Sequence, residues 1–360
     1  MRALVTGASG LIGANVVRAL LDAGHEVRAF VRETSDLASL AGLDVELARG
    51  DVLDPGSLLA AARGCEVLFH SAAVFAYWRQ TREQLEAVAV QGTVHAIEAA
   101  REASVHRMVL TSSSVVLGSS PSPEPRDERA DLNEPDPPPY VLAKAAQERV
   151  AFHRASEVGL DLVVVCPTMS VGPYGHHLGP SNAIVTTYLG DPFRLTFPGG
   201  CNIVSVEDVA QGHVLAALRG RPGARYVLGG ENLEWAAIHR TLSELCGISG
   251  PYWVANHTAA LLAATASELV GWWTGAAPVV TRAQAKMVGR YYWYRHDRAA
   301  ALGFSPRPAR QALAEAVAWL VTTAHIARAQ RQELTLSREV YAARAAVARR
   351  ERARLRLGPR

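Results

Sequence analysis

Apolar blocks and helically spaced blocks follow one another through the first half of the chain. Arg2–Thr6 is a short apolar run that predicts a strand, and Ala14–Ala23 (ANVVRALLDA) carries its apolar residues at helical spacing. The couplet then recurs. Strands are predicted at Glu26–Arg32, Val45–Ala48, Glu66–His70, Arg107–Ser112 and Leu160–Cys166, and helices at Pro55–Arg63, Glu83–Ala103 and Val141–Arg154. A proline-rich, charged loop, SSPSPEPRDERADLNEPDPPPY, precedes the last of these helices. Six strands alternating with helices predict an α/β fold with a doubly wound parallel sheet.

Beyond Pro173 the pattern weakens. Ile203–Val206 and Arg225–Leu228 read as further short strands, with a helix at Val206–Leu218 between them. Residues 231–300 are mostly helical in pattern and heavy in aromatics: Trp235, Trp253, Trp272, Trp273 and Tyr291–Tyr294. The stretch Arg328–Arg360 is arginine-rich with little apolar periodicity. It is expected to be a solvated helix or a disordered extension whose removal leaves catalysis nearly unchanged.

Composition narrows the class. The 360 residues suffice for one large domain or two, and a net charge of +3 argues neither for nor against nucleic acid; none is expected as a partner. The four cysteines, Cys65, Cys166, Cys201 and Cys246, form no C-x-x-C pair. They fit free thiols in a reducing compartment better than disulfides or a zinc site, so a cytoplasmic protein without a metal is expected. The first apolar run is too short for a signal peptide. Ala259–Trp273, the nearest approach to a membrane span, is broken by Glu268 and Gly271.

The chemistry begins at the first turn. Gly7, Gly10 and Gly13 stand at G-x-x-G-x-x-G between the first strand and the first helix, the context of a dinucleotide site. Gly7 permits the tight turn, Gly10 leaves room for a pyrophosphate, and Gly13 lets the helix pack close; the helix N-terminus then faces the phosphates. The end of the second strand meets the adenosine ribose. An acid there favours NAD; Arg32 stands there instead, with no acid before Glu33, and is a candidate clamp for the 2′-phosphate of NADP. Asp51 follows the third strand, where it can bond adenine or cap the next helix. Small residues, Ser71-Ala72-Ala73, follow the fourth strand; His70 before them reads as a satisfied buried histidine. Three serines, Ser112–Ser114, end the fifth strand, and Tyr140 and Lys144 share one helix face at i, i+4. An ammonium beside a phenol favours the tyrosinate, and a serine hydroxyl can hold a carbonyl oxygen while the tyrosine moves a proton to it.

In order, the segments TGASGLIG, GDVLD, FHSAA, LTSSS, YVLAK, CPTMSVGP and VSVEDVA make the chain resemble the extended short-chain dehydrogenase/reductases over roughly residues 1–320. VRAFVR, RAAALGFSPRP and AVAWL make it similar to the branch of dihydroflavonol reductases and 3β-hydroxysteroid dehydrogenases. The resemblance implies a Rossmann fold with a smaller, mostly helical C-terminal substrate-binding region. Residues 1–172 and 203–230 would bind the dinucleotide, 173–202 and 231–327 the substrate, and 328–360 form an extension. Counting back from Gly118, it implies catalysis by Ser113, with Ser112 and Ser114 as near alternatives, together with Tyr140 and Lys144. It implies cofactor contacts at Gly7, Ser9, Gly10, Leu11, Ile12, Gly13, Arg32, Asp51, Val52, Ser71, Ala72, Ala73, Ser112, Tyr140, Lys144, Pro167 and Met169. Substrate contacts are implied at Val74, Phe75, Ser114, Met169 and Tyr174, with some of the late tryptophans. A homodimer through Glu83–Ala103 and Val141–Ser156 is also implied.

Three departures from the family pattern bear on function. Ala89 replaces an asparagine often found there. Ser113-Ser114-Val115 replaces the Thr-Asp-Glu of sugar-nucleotide dehydratases. Met169 replaces an asparagine that binds phosphate in epimerases. The expected activity is NADPH-dependent reduction of a ketone on a bulky apolar or aromatic molecule, or the reverse oxidation. NADP(H) is preferred and NAD(H) possible. The alternatives are a nucleotide-sugar epimerase with tightly held NAD and a non-catalytic dinucleotide sensor.

Overall fold

A computed structural model describes residues 1–73, 81–275, 278 and 280–356. In chain order its main elements are β1 (Arg2–Thr6), α1 (Leu11–Asp22), β2 (Glu26–Val31), β3 (Glu46–Arg49), α2 (Pro55–Ala62), β4 (Val67–His70), α3 (Arg82–Glu86), α4 (Gly92–Glu102), β5 (Arg107–Thr111), α5 (Pro139–Val158) and β6 (Asp161–Pro167). Then come β7 (Met169–Val171), α6 (Pro180–Gly190), β8 (Leu195–Thr196), β9 (Gly200–Ser205), α7 (Val206–Arg219), β10 (Arg225–Leu228), β11 (Glu231–Glu234), α8 (Trp235–Cys246), β12 (Trp253–Val254), α9 (His257–Thr274), α10 (Arg282–Ala285), β13 (Tyr291–Tyr292), α11 (Asp297–Ala300), α12 (Ala309–Leu320), α13 (Arg328–Glu333) and α14 (Arg338–Arg356).

Seven strands make one sheet in the order β3-β2-β1-β4-β5-β6-β10, every neighbouring pair parallel. The predicted doubly wound sheet is therefore present, and Arg225–Leu228 extends its edge. Thr6 at the end of β1 lies beside Phe30 of β2 and His70 of β4, so the loops after these strands open on one rim. The strand order reverses between β1 and β4, which is where such sheets hold ligands. Local chemistry sets the helix starts: Asp54 caps α2 ahead of Pro55, and Ser205 caps α7.

The predicted helix Glu83–Ala103 forms with an interruption. A π turn over Ala87–Gln91 joins α3 to α4. Ala89, at its middle, is buried with Leu85 against Tyr140, Val141 and Ala143 of α5. The irregular turn is thus present without the asparagine, and a methyl side chain lets α5 pack close to it.

One buried cluster runs from Leu4, Leu68 and Leu110 under the sheet through Ile203, Leu242 and Leu245 to Leu313, Val317 and Val340. The C-terminal region therefore shares its core with the sheet. Of the two expectations after Arg328, a solvated helix or a disordered extension, the helix is present as α13 and α14, but α14 is docked: it packs on α12 with Val340 and Ala343 buried. Its inward charges are paired, Arg350 with Glu207 at 3.0 Å, Glu351 with Arg18 at 2.7 Å, and Arg354 with Asp22 at 2.7 Å, while Arg344, Arg349 and Arg352 are exposed. The apolar stripe is narrow because ion pairs to α1, α7 and α12 supply much of the contact.

The late tryptophans divide. Trp235 packs on Phe197 and His239, whereas Trp272 and Trp273 of α9 are 75% and 95% exposed. The expectation that such residues line a pocket is not met by these two: their rings lie on the outer face of α9.

Candidate active site

The first couplet builds the phosphate end. Gly7 takes φ +66°, and a Cβ there would stand 2.8 Å from the backbone of Ala72 after β4. A Cβ on Gly13 would stand 2.2 Å from the Gly7 carbonyl oxygen, so α1 docks directly on the turn. Gly10 is different: a Cβ there would meet only the Gly7 oxygen, at 3.3 Å. Its glycine leaves space that the chain's own packing does not demand. The space lies at the N-terminus of α1, whose first-turn N–H groups have no intrahelical acceptor and whose first turn carries no acid. The turn fits a dinucleotide pyrophosphate.

The three serines after β5 face different groups. Ser112 Oγ donates to Glu148 Oε2 at 2.7 Å, and Ser114 lies by Tyr294, whose hydroxyl donates to the Gly118 carbonyl at 2.8 Å. Ser113 lies by the Tyr140 hydroxyl. Tyr140 and Lys144 are both buried on α5. Lys144 Nζ donates to the Thr111 carbonyl at 2.9 Å and to Gln147 Oε1 at 2.8 Å; Gln147 Nε2 donates to Thr93 Oγ1 at 2.8 Å. Burial pushes Lys144 down to about 8, with Cys166 and Glu148 opposing. It pushes Tyr140 up to about 12, with Ser113 opposing. The expected lowering of the phenol by the ammonium is therefore overridden by burial, and Tyr140 stays protonated at neutral pH.

His70 is fully buried, with Nδ1 2.9 Å from Thr6 Oγ1. Among the described residues its Nε2 has no hydrogen-bond partner, so it is only half satisfied there. Burial, then the Lys144 charge, pushes it down to about 3. His213 makes a second neutral contact. Its Nδ1 lies 2.8 Å from the Val209 carbonyl, so Nε2, 3.0 Å from Thr111 Oγ1, accepts. Thr111 in turn accepts from Ser71 at 2.8 Å. Sequence reading missed Thr111, Gln147 and Thr93. For Gln147 a signal existed: it lies seven residues after Tyr140 on the same helix face.

The remaining expected contacts fall as follows. Ser9 offers its carbonyl to Ser39 at 3.0 Å. Leu11 and Ile12 open α1. Arg32 is exposed just past β2, and Arg49, at the end of β3, donates to its carbonyl at 3.2 Å. Asp51 accepts from the Leu53 N–H, and Val52 is buried against Gly92. Ala73 follows Ser71 and Ala72 on the rim. Pro167 ends β6, and Met169 opens β7, half-buried. Tyr174 is buried, with its ring 3.7 Å from the Arg18 guanidinium of α1 and 5.3 Å from Trp319 of α12. Val74 and Phe75 lie outside the described residues.

Residues 3–229 match the model of the NAD dependent epimerase/dehydratase family. A relative from Synechocystis sp., named putative dihydroflavonol 4-reductase, is 33% identical over 88% of this chain and 93% of its own. The sterol demethylase protein B of Methylococcus capsulatus is 37% identical over 70% of this chain and 76% of its own. The crystal structure of gox2253 superposes with a TM-score of 0.78 at 34% identity, covering 90% of this chain and 99% of that one. Fold, glycine turn and relatives together define an NAD(P)-dependent oxidoreductase acting on CH–OH or C=O groups. The chain belongs to the NAD-dependent epimerase/dehydratase family, the extended short-chain dehydrogenase/reductases, near its dihydroflavonol-reductase branch.

Proposed function

We propose that this protein reduces a ketone on a bulky apolar small molecule, with NADP(H) preferred over NAD(H). The observation that carries the reading is the gathering of Ser113, Tyr140 and a buried Lys144 at the sheet's switch point. The reduced dinucleotide, when bound, supplies the hydride. The Ser113 hydroxyl holds the carbonyl oxygen. Tyr140, protonated up to about 12, donates its proton to that oxygen, which suits reduction better than oxidation. Lys144 lies one turn along the same helix, where an ammonium meets the nicotinamide ribose. The backbone at Gly7–Gly13 cradles the pyrophosphate.

Arg32, with no acid at the end of β2, supports the NADP preference, and Arg49 places a second guanidinium beside it. Relatives named for flavonoid and sterol chemistry support a bulky apolar substrate. The sugar-nucleotide reading lacks the phosphate-binding asparagine that Met169 replaces. A homodimer through the 83–103 and 141–156 helices in the cytoplasm completes the proposal.

The test follows NADPH absorbance across cyclic ketones and UDP- or GDP-sugars. Reduction of ketones alone supports the reading; turnover of sugars with tightly held NAD moves the protein to the epimerases. Tyr140→Phe is expected to lower kcat by about 10²–10⁴-fold, the usual worth of a general acid, with NADPH affinity within about threefold. Arg32→Ala is expected to weaken NADPH and spare NADH, read by calorimetric titration.

A further inference from the structure

Lys144 is an ammonium in the protein interior, and its hydrogen bonds decide where its protons point. Two are committed: one to the Thr111 carbonyl at 2.9 Å, one to Gln147 Oε1 at 2.8 Å. A side-chain amide is ambiguous by itself, since a flip would set its NH2 against the ammonium. Here the ammonium itself sets the orientation: it can only donate, so it takes Oε1 as its acceptor. Gln147 Nε2 then donates to Thr93 Oγ1 at 2.8 Å, and Gln147 and Thr93 are both fully buried. Thr93 sits on α4 just past the π turn. The third ammonium proton is then left for the side of the helix that carries Tyr140, one turn back.

We propose that Gln147, anchored by Thr93, is a positioning residue: it holds the Lys144 ammonium charged and aims its remaining proton toward Tyr140 and the bound ribose. This rests on the reading of Lys144 as part of the reductase site. A neutral oxygen acceptor stabilises the charged form of a buried amine. The other groups facing Lys144 are Glu148 on its own helix, Cys166 from β6 and His70 from β4. Glu148 is held by Ser112 and Arg225, burial keeps the Cys166 thiol protonated, and His70 is neutral. Gln147 is therefore the neighbour whose replacement changes the ammonium's environment most directly.

The chain contains two lysines, Lys144 and Lys286, so the amine can be titrated without a substrate. Lysine labelled at Cε with carbon-13 gives two resonances, assigned with Lys286→Arg. In the intact protein Lys144 is expected to titrate near 8. Gln147→Leu is expected to lower that midpoint by about one unit, the equivalent of one lost hydrogen bond to a charge. Gln147→Glu keeps an acceptor, adds a negative charge and is expected to raise it. Thr93→Val, which leaves Gln147 Nε2 without its anchor and loosens the side chain's hold on the ammonium, is expected to lower it by less, and it serves if Gln147→Leu does not fold.

The alkaline limb of kcat for carbonyl reduction is expected to move in the same directions, while KM for NADPH changes less than kcat. A midpoint unmoved in all three variants overturns the proposal, as does a shift of the same sign in Leu and Glu. If the resonance moves and the kinetic limb does not, the placement of Gln147 stands and the reductase reading of Lys144 fails.

Discussion

Removing residues 338–360 deletes α14, and the structure sets what is lost. Val340 is fully buried and Ala343 nearly so, together worth about 2–3 kcal/mol of apolar burial. Arg350 leaves Glu207 and the buried Glu315, which keep Arg307 as partner. Losing one member of such a cluster costs about 1–3 kcal/mol, less than breaking an isolated buried pair. The Glu351–Arg18 and Arg354–Asp22 pairs reach the surface and add roughly 0–1 kcal/mol each. The expected total is about 5 kcal/mol, a large share of the usual 5–15 kcal/mol for a folded protein. For a chain of this size that lowers Tm by about 10 °C. Urea and thermal unfolding of residues 1–337 against the full chain measure it, and Val340→Ala alone is expected to recover about 1–2 kcal/mol of the loss. A truncated protein whose Tm lies within 2 °C of the parent would refute the reasoning and restore the view of the tail as a solvated appendage.

Three further outcomes follow from the geometry. Gly13→Ala is expected to unfold the protein or cost several kcal/mol, because its Cβ would stand 2.2 Å from the Gly7 oxygen; normal expression with an unchanged Tm would contradict this. Gly10→Ala, whose Cβ would meet only the Gly7 oxygen at 3.3 Å, is expected to fold within about 1 kcal/mol of the parent yet bind NADPH at least ~10-fold more weakly, read by calorimetry; unchanged affinity would mean that the turn does not hold the pyrophosphate. His70, His213 and His239 are buried, and burial pushes them down to about 3, 4 and 4 from 6.5. The unfolded chain therefore binds more protons, so stability is whole above pH 6.5 and falls as pH drops toward 4, by about 1.4 kcal/mol per unit for each histidine. A urea midpoint that stays level from pH 7 to 5 would show that these histidines are not held neutral.

What was legible in the sequence was local. The glycine turn and its flanking elements lie within some twenty residues, and Tyr140 and Lys144 share a helix face, so spacing alone places them. Partnerships across long stretches were not legible. Ser112 meets Glu148 36 residues later, which its run of three serines does not announce. Gln147 gained meaning from Thr93, 54 residues earlier. Tyr174 meets Arg18 and Trp319, each well over a hundred positions away in the sequence. The arginines of α14 look solvated until the acids of α1, α7 and α12 are set beside them. An amphipathic test counts apolar residues, and it misses a helix docked largely by charge.

That docking makes α1 answerable to a stretch of chain that takes no part in the glycine turn itself. Arg18 and Asp22 stand on the helix that the turn opens, and Glu351 and Arg354 of α14 hold them from 333 and 332 residues further along the sequence. The strap works like a guy line: slackening it leaves α5 and the sheet untouched but frees the helix it is tied to. Substitutions in α14 therefore act at the opposite end of the sequence from where they are made.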